Sequence, residues 1–409
     1  MTIMTKDDKT KLSDRQGNLP TPAKNALPLT ALFALAMAAF ITILTETLPA
    51  GLLPQMAQSL SVSEALVGQL VTIYAIGSLV AAIPLTAVTQ GIRRRPLLLV
   101  AIAGFVITNT ITTFSTNYAM TIAARLLAGV SAGLVWALLA GYAARMVPEH
   151  QKGRAIAIAM VGTPLALSLG VPMGAFISTL VGWRICFGII SLLAVVLMVW
   201  VRFKVPDFPG QPVDKRSSLR QVLITPGIRS ILFVVLTFVL AHNILYTYIA
   251  PFLARAEMAE RTDLVLLAFG ITSLIAIWIV GILIDRYLRV LTFISTLLFI
   301  IAALALYIAG ENPITIYVSV SIWGLAFGGA ATLFQTALFK AAGNEAADVA
   351  QSMSVTVWNM AIAGGGIVGG LLLGHFGVGA FPPTLLILLM ITFVIILSGK
   401  QHSFPATTQ

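Results

Sequence analysis

The sequence predicts an all-α polytopic membrane protein, with twelve transmembrane helices in two six-helix pseudo-symmetric halves. Three observations predict it. Of 409 residues, 58% are hydrophobic and 10% are charged, where a soluble domain carries about 25% charge. Apolar runs long enough for a membrane helix of ~20 residues recur along the whole chain. Glycines and a basic loop repeat at a fixed spacing. The first observation excludes one large soluble core. A transmembrane barrel would need short alternating strands, which the pattern lacks.

In chain order, residues 1–27 form a polar N-terminal tail, followed by an apolar run too long for the core of a cleavable signal. Twelve apolar segments follow, at roughly 28–56, 64–89, 96–115, 118–145, 152–179, 183–203, 227–253, 262–284, 290–309, 313–339, 348–374 and 380–399. The longest polar stretch between them, 204–226, carries Pro, Gly and mixed charge and reads as a cytoplasmic linker. It divides an N-terminal bundle (28–203) from a C-terminal bundle (227–399), and residues 400–409 form a C-terminal tail.

The net charge of +10 does not point to nucleic acid, because the basic residues cluster in short loops between apolar segments. With the N-terminus in the cytoplasm, 21 of the 25 Lys and Arg residues fall on the cytoplasmic side. Arg184, Arg255 and Arg261 fall outside, and Arg125 lies inside a helix. This bias predicts that both termini are cytoplasmic. The sole cysteine, Cys186, excludes intramolecular disulfides and CxxC metal sites, so no metal or cofactor is expected.

At an offset of 195 residues, Gly129 matches Gly324, Gly133 matches Gly328, Gly170 matches Gly365, Gly174 matches Gly369, and Arg94 matches Arg289. Parallel six-helix repeats joined by a polar linker point to a transporter of the major facilitator type, whose site lies near the midplane between the halves.

The loop motifs resemble that superfamily. "GILIDRYLR" (Gly281 to Arg289) resembles its signature between helices 8 and 9. The first-half copy, "TAVTQGIRRRP", has Thr86 in place of Gly and Gln90 in place of Asp, and keeps Arg94 and Arg95. The resemblance implies a conformational latch on the cytoplasmic side at Asp285, Arg286, Arg289, Arg94 and Arg95, with the first-half copy weakened by Gln90. A carboxylate is favoured at a positive helix end. "RLLAGVSAG" (Arg125 to Gly133) resembles the family's helix-4 motif. "GTPLALSLGVPMG" resembles its Gly/Pro-rich helix 5, through Gly162, Pro164, Gly170, Pro172 and Gly174. Within the superfamily the chain is most similar to twelve-helix drug:proton antiporters, in the bacterial branch that exports sugars, nucleosides and chloramphenicol. The shared features are Glu46 before "LPAGLLP" and "AHNILYTYIAPF" in helix 7. The resemblance implies a multi-pass monomer of the bacterial inner membrane that moves a small-molecule substrate against protons.

Of fifteen acidic residues, only Glu46 lies deep in a helix. A charge at bilayer depth costs at least ~3 kcal/mol, so such groups are functional or paired. A proton-driven exporter needs one titratable group there, and Glu46 is the candidate. Arg125, the one deep cation, either tunes Glu46 electrostatically or bonds backbone carbonyls of helix 1. His242 shares a helix face with Tyr246 and either joins the proton path or is simply hydrogen-bonded. Asn243, Tyr74, Trp136 and Trp323 are candidate substrate contacts, as are Gln335, Trp358 and Asn359, each with packing as the alternative. "GVSAG" matches a nucleophile elbow but sits within an apolar helix, so it argues for helix packing and not for an enzyme. "GGGIVGG" lacks the Lys-Ser/Thr of a phosphate loop, which leaves an ion gradient as the energy source. The leading expectation is proton-coupled export of small neutral or singly charged organic molecules. An importer or facilitator of sugars or nucleosides on the same fold, and a transporter-like receptor or intramembrane enzyme, are the alternatives.

Overall fold

The computed structural model describes residues 27–212 and 217–399. Most of the expected N-terminal tail, the whole C-terminal tail 400–409, and Lys215 and Arg216 of the linker lie outside the described residues, as do the side chains of Glu64 and Asp263. Among the described residues, ten helices are long and apolar enough to cross a membrane.

Two of the ten are far too long for one crossing. Ala259–Ala309 has 51 residues and Pro313–Phe376 has 64. At a rise of about 1.5 Å per residue, either would overrun a ~30 Å hydrocarbon core more than twofold. Both double back. The first breaks at Tyr287, whose backbone leaves the helical region. Ser273 and Ser295, on either side of the break, donate to Gly324 O and Ala326 O, two residues apart on the next helix. The second breaks at Gly343, with φ +70°, a left-handed value suited to glycine. Gln335 and Gln351 face each other across that turn, the Gln351 amide donating to Gln335 O at 2.9 Å.

The crossing helices are therefore α1 (Leu29–Leu60), α2 (Glu64–Thr89), α3 (Arg94–Phe114), α4 (Tyr118–Arg145), α5 (Glu149–Val181), α6 (Trp183–Lys204), α7 (Ile228–Thr247), α8 (262–286), α9 (288–309), α10 (313–342), α11 (344–376) and α12 (Phe381–Ser398). A short helix, Leu219–Ile224, opened by a Ser218–Gln221 capping box, precedes α7.

The buried apolar side chains fall into two cores. One runs from Ala31 to Val205, joined by Ile277, Phe339 and Ala347 from later in the chain. The other runs from Val222 to Ile396. The repeated glycines do the same work in each. A Cβ at Gly129 would lie 2.0 Å from Tyr74 O, and one at Gly324 would lie 2.5 Å from Phe269 O. Phe269 is the 195-offset partner of Tyr74. Small residues thus bring α4 against α2 and α10 against α8 at backbone contact, the usual device for helix association in lipid.

Candidate functional site

The first cluster is built by the irregular middle of α1. The α-helix runs from Leu29 to Thr47 and then passes into a tighter 3-10 turn, Leu48–Leu52, around Pro49. Proline has no N–H, and a 3-10 turn bonds at a shorter spacing, so carbonyls of the last α turn lose their usual donors. A side chain from α4 takes the place of the donor missing at Glu46 O, and two more side chains bond α1 nearby. Arg125 Nη2 donates to Glu46 O at 3.1 Å, and Tyr74 Oη donates to Thr42 O at 2.9 Å. Asn109 Nδ2 donates to Thr45 Oγ1 at 3.2 Å.

Arg125 and Tyr74 are almost wholly buried, and Glu46 is half-buried. The Arg125 guanidinium lies 4.9 Å from the Tyr74 ring centroid and 5.8 Å from that of Phe187. Its Nε also reaches Leu70 O at 3.5 Å. Of the two expectations for Arg125, the bonding is that of the second, to backbone carbonyls of α1 and α2. The same bonds bring the guanidinium to the Glu46 residue.

The second cluster is aromatic. His242 on α7 stacks on Phe327 of α10, with ring centroids 3.5 Å apart and planes 7° from parallel. Tyr246, one turn along α7, stacks on His242 at 5.2 Å. Trp323 lies 5.2 Å from His242 and 4.5 Å from Phe269, and Trp358 lies 6.1 Å from Phe327. His242 Nδ1 and Trp323 Nε1 are buried with no hydrogen-bond partner. The other polar candidates turn to their own helices. Asn243 donates to Val239 O and Asn359 to Val355 O. Gln335 receives Gln351 through its main-chain oxygen, and half-buried Trp136 packs on the first core.

A third cluster joins the two halves at the end of the molecule that carries the basic loops. Asp285 accepts from the N–H groups of Gly153 (2.5 Å) and Arg154 (3.0 Å), at the start of the α5 helical turns. A Cβ at Gly153 would sit 2.7 Å from Asp285 Oδ1, so the approach requires glycine. On the other side, Asp348 on α11 lies 2.8 Å from Arg94 Nη2 and 3.0 Å from Arg145 Nη1. The N–H groups are not aligned on the oxygens, so this is an approach of charges more than a set of directed hydrogen bonds. Arg145 also donates to Asn344 O.

The Arg93–Arg95 run divides its labour. Arg93 Nε and the Arg95 N–H both donate to Asp207, and the Arg94 N–H donates to Phe208 O, which leaves the Arg94 side chain to cross to α11. Slight burial pushes the Asp207 carboxyl up, but the bonds and charges of Arg93 and Arg95 outweigh it and hold the group below the ordinary carboxylate range. Of the expected latch residues, Asp285 and Arg94 therefore reach across the halves. Arg95 bonds Arg202 O at the end of α6 and Val205 O in the linker, Arg289 bonds Leu397 O on α12, and Arg286 lies over the Tyr287 ring. Gln90 bonds Ser217 O.

Gly153, Asp348 and Arg145 were missed by the sequence reading. One signal was available: Gly153 and Asp348 are themselves 195 residues apart. The helix-5 residues pack as a group on α1. A Cβ at Gly162 would collide with Ala36 O, a π turn (Ala166–Gly170) lies between Pro164 and Pro172, and Gly170 and Gly174 meet Phe40, Leu44 and Leu48.

The sequence profile of the Major Facilitator Superfamily matches residues 35–366. The chain belongs to that superfamily. This transporter is 28% identical over 378 residues, 92% of its own length and 94% of the relative's, to the purine ribonucleoside efflux pump NepI of Salmonella enteritidis. The pump of the same name from Salmonella typhimurium is 28% identical over 85% of this chain and 88% of its own. Two solved structures share the fold: the human organic anion transporter MFSD10 (TM-score 0.76, 15% identity, 92% and 100% coverage) and the proton:xylose symporter XylE (0.73, 14%, 91% and 94%). The protein is thus a multi-pass membrane transporter of a small-molecule substrate and not an enzyme.

Proposed function

We propose that this transporter is a monomeric proton-coupled antiporter of the bacterial inner membrane, with both termini cytoplasmic, that exports neutral or singly charged organic molecules of nucleoside type. The observation that carries the coupling is Glu46, an acid set midway in α1, whose own main-chain carbonyl Arg125 holds. The names of the 28%-identical relatives support the cargo class.

The mechanism follows from charge and solvation. The basic end is the cytoplasmic end, and its contacts through Asp285 and Asp348 close that side. In the proposed cycle this is the state open to the outside. There the Glu46 carboxylate takes a proton from the external medium. The neutral carboxyl crosses the closed, water-free intermediate, which an anion would do at a cost of at least ~3 kcal/mol. Once the cytoplasmic contacts part, the proton leaves to the cytoplasm and cargo enters. Arg125 stays charged throughout, and its carbonyl bonds hold the α1 turn that presents Glu46. Protonation and cargo binding oppose each other, and by linkage each weakens the other equally.

The test is flux of radiolabelled inosine in proteoliposomes with an imposed pH gradient. Uphill inosine movement driven by the proton gradient that disappears in a well-folded Glu46→Gln variant supports the reading. Equal uphill rates in that variant sink the coupling assignment.

A further inference from the structure

We infer that the aromatic cluster of the second half is a subsite for a flat, uncharged heteroaromatic ring, and that the ring stacks on Tyr246 at the exposed end of the cluster. The inference rests on the nucleoside-type cargo proposed above and locates the part of the cargo that is recognised.

The repeat shows that the fold does not need this cluster. The first half makes the same helix crossings, with Tyr74 in the place of Phe269. Yet the 195-offset partners of His242, Tyr246, Trp323, Phe327 and Trp358 are Thr47, Gly51, Ala128, Ala132 and Thr163. Small and hydroxylic residues satisfy the architecture there. The large rings are an addition confined to one half, converging from α7, α8, α10 and α11.

The cluster is also unlike a finished core. Trp323 is fully buried and His242 is 7% exposed, but His242 Nδ1 and Trp323 Nε1 have no partner. An unsatisfied buried polar group destabilises a core, and a Phe or Leu at either place would avoid that. Tyr246, at the other end of the stack, is 39% exposed. Phe327, His242 and Tyr246 stack in turn, and a run of rings that ends in a partly exposed tyrosine matches a flat heterocycle and not a bare sugar. Such stacking is worth about 1–3 kcal/mol per base.

The experiment measures binding of adenine, inosine and ribose to the purified protein in nanodiscs by calorimetry, with inosine flux in parallel. Adenine and inosine are expected to bind and ribose not to bind. Tyr246→Ala is expected to weaken inosine by roughly 5- to 150-fold, the equivalent of the stacking term, and Tyr246→Phe to restore it. Phe327→Leu, deeper in the stack, is expected to weaken adenine and inosine together. Ribose binding as tightly as inosine, an unchanged affinity in Tyr246→Ala, or no binding of either adenine or inosine to the wild type overturns the subsite. The two readings fail separately. Uphill inosine export that Tyr246→Ala leaves untouched removes the subsite and keeps the export. Tyr246-dependent binding without uphill flux removes the export and keeps the subsite.

Discussion

Arg94 of the first half and Asp348 of the second lie 2.8 Å apart at the basic end, with side chains 2% and 1% exposed. Their pairing transposes the contact made on the opposite side of the pseudo-symmetric pair. There the loop supplies the acid, Asp285, and the facing helix start supplies bare N–H groups at Gly153. Here the loop carries Gln90 where Asp285 stands, and the helix start carries Asp348 where Gly153 stands. The acid has moved from loop to helix, and Arg94 and Arg145 meet it there.

Asp348→Asn leaves two guanidinium groups facing each other without their counter-charge. Removing one partner from a buried ionic group costs about 3–5 kcal/mol. Spin labels on the basic ends of α4 and α11 are expected to move apart, and the thermal unfolding midpoint to fall. Unchanged distances would mean that the triad fills space without locking the halves.

Gly153→Ala is expected to act like Asp285→Asn, because the new methyl would crowd to 2.7 Å from the carboxylate oxygen that bonds the Gly153 N–H and push it away. The two substitutions touch one contact, so the double variant should shift the same interspin distances no further than either single one. Gln90→Ala should shift them little, since the Gln90 amide bonds the linker at Ser217 and not α11. Additive shifts from Gly153→Ala and Asp285→Asn would argue for separate effects.

Arg125→Lys keeps the charge and loses the geometry. One ammonium cannot span Leu70 O and Glu46 O while lying over the Tyr74 ring as the planar fork does. Coupled flux is expected to fall at least tenfold, with the protein still folded by its thermal transition. Wild-type flux in Arg125→Lys would reduce the residue to a point charge.

Glu46→Gln is expected to fold normally, to abolish uphill export driven by the pH gradient, and to keep downhill exchange of inosine, because the neutral amide imitates the protonated acid. Glu46→Asp is expected to keep partial flux at a displaced pH optimum. Exchange and uphill flux lost together would point to a positioning role for Glu46 and not to proton carriage.

Sequence by itself determined the helical membrane architecture, because lipid leaves backbone groups no partner outside a helix and the spans must be apolar and about 20 residues long. It also determined the repeat, since glycines that admit another backbone are needed at the same crossings in each half, and it singled out Glu46 and Arg125, since charge in hydrocarbon is too costly to be incidental. It gave the place of His242 and Tyr246 on one helix face, a matter of 3.6-residue periodicity. Only the tertiary structure decided what those groups touch. Arg125 holds a carbonyl of α1 because Pro49 and the 3-10 turn release it, which depends on the path of the backbone. His242 sits among rings from two other helices, α8 and α10, and no spacing within α7 encodes those neighbours. Asp348 stands at the edge of an apolar segment with no basic residue near it in the chain, yet it is buried between Arg94 and Arg145. Its charge is satisfied across an interface between two halves of the chain, and such a contact is fixed by how the bundles close and not by any local pattern.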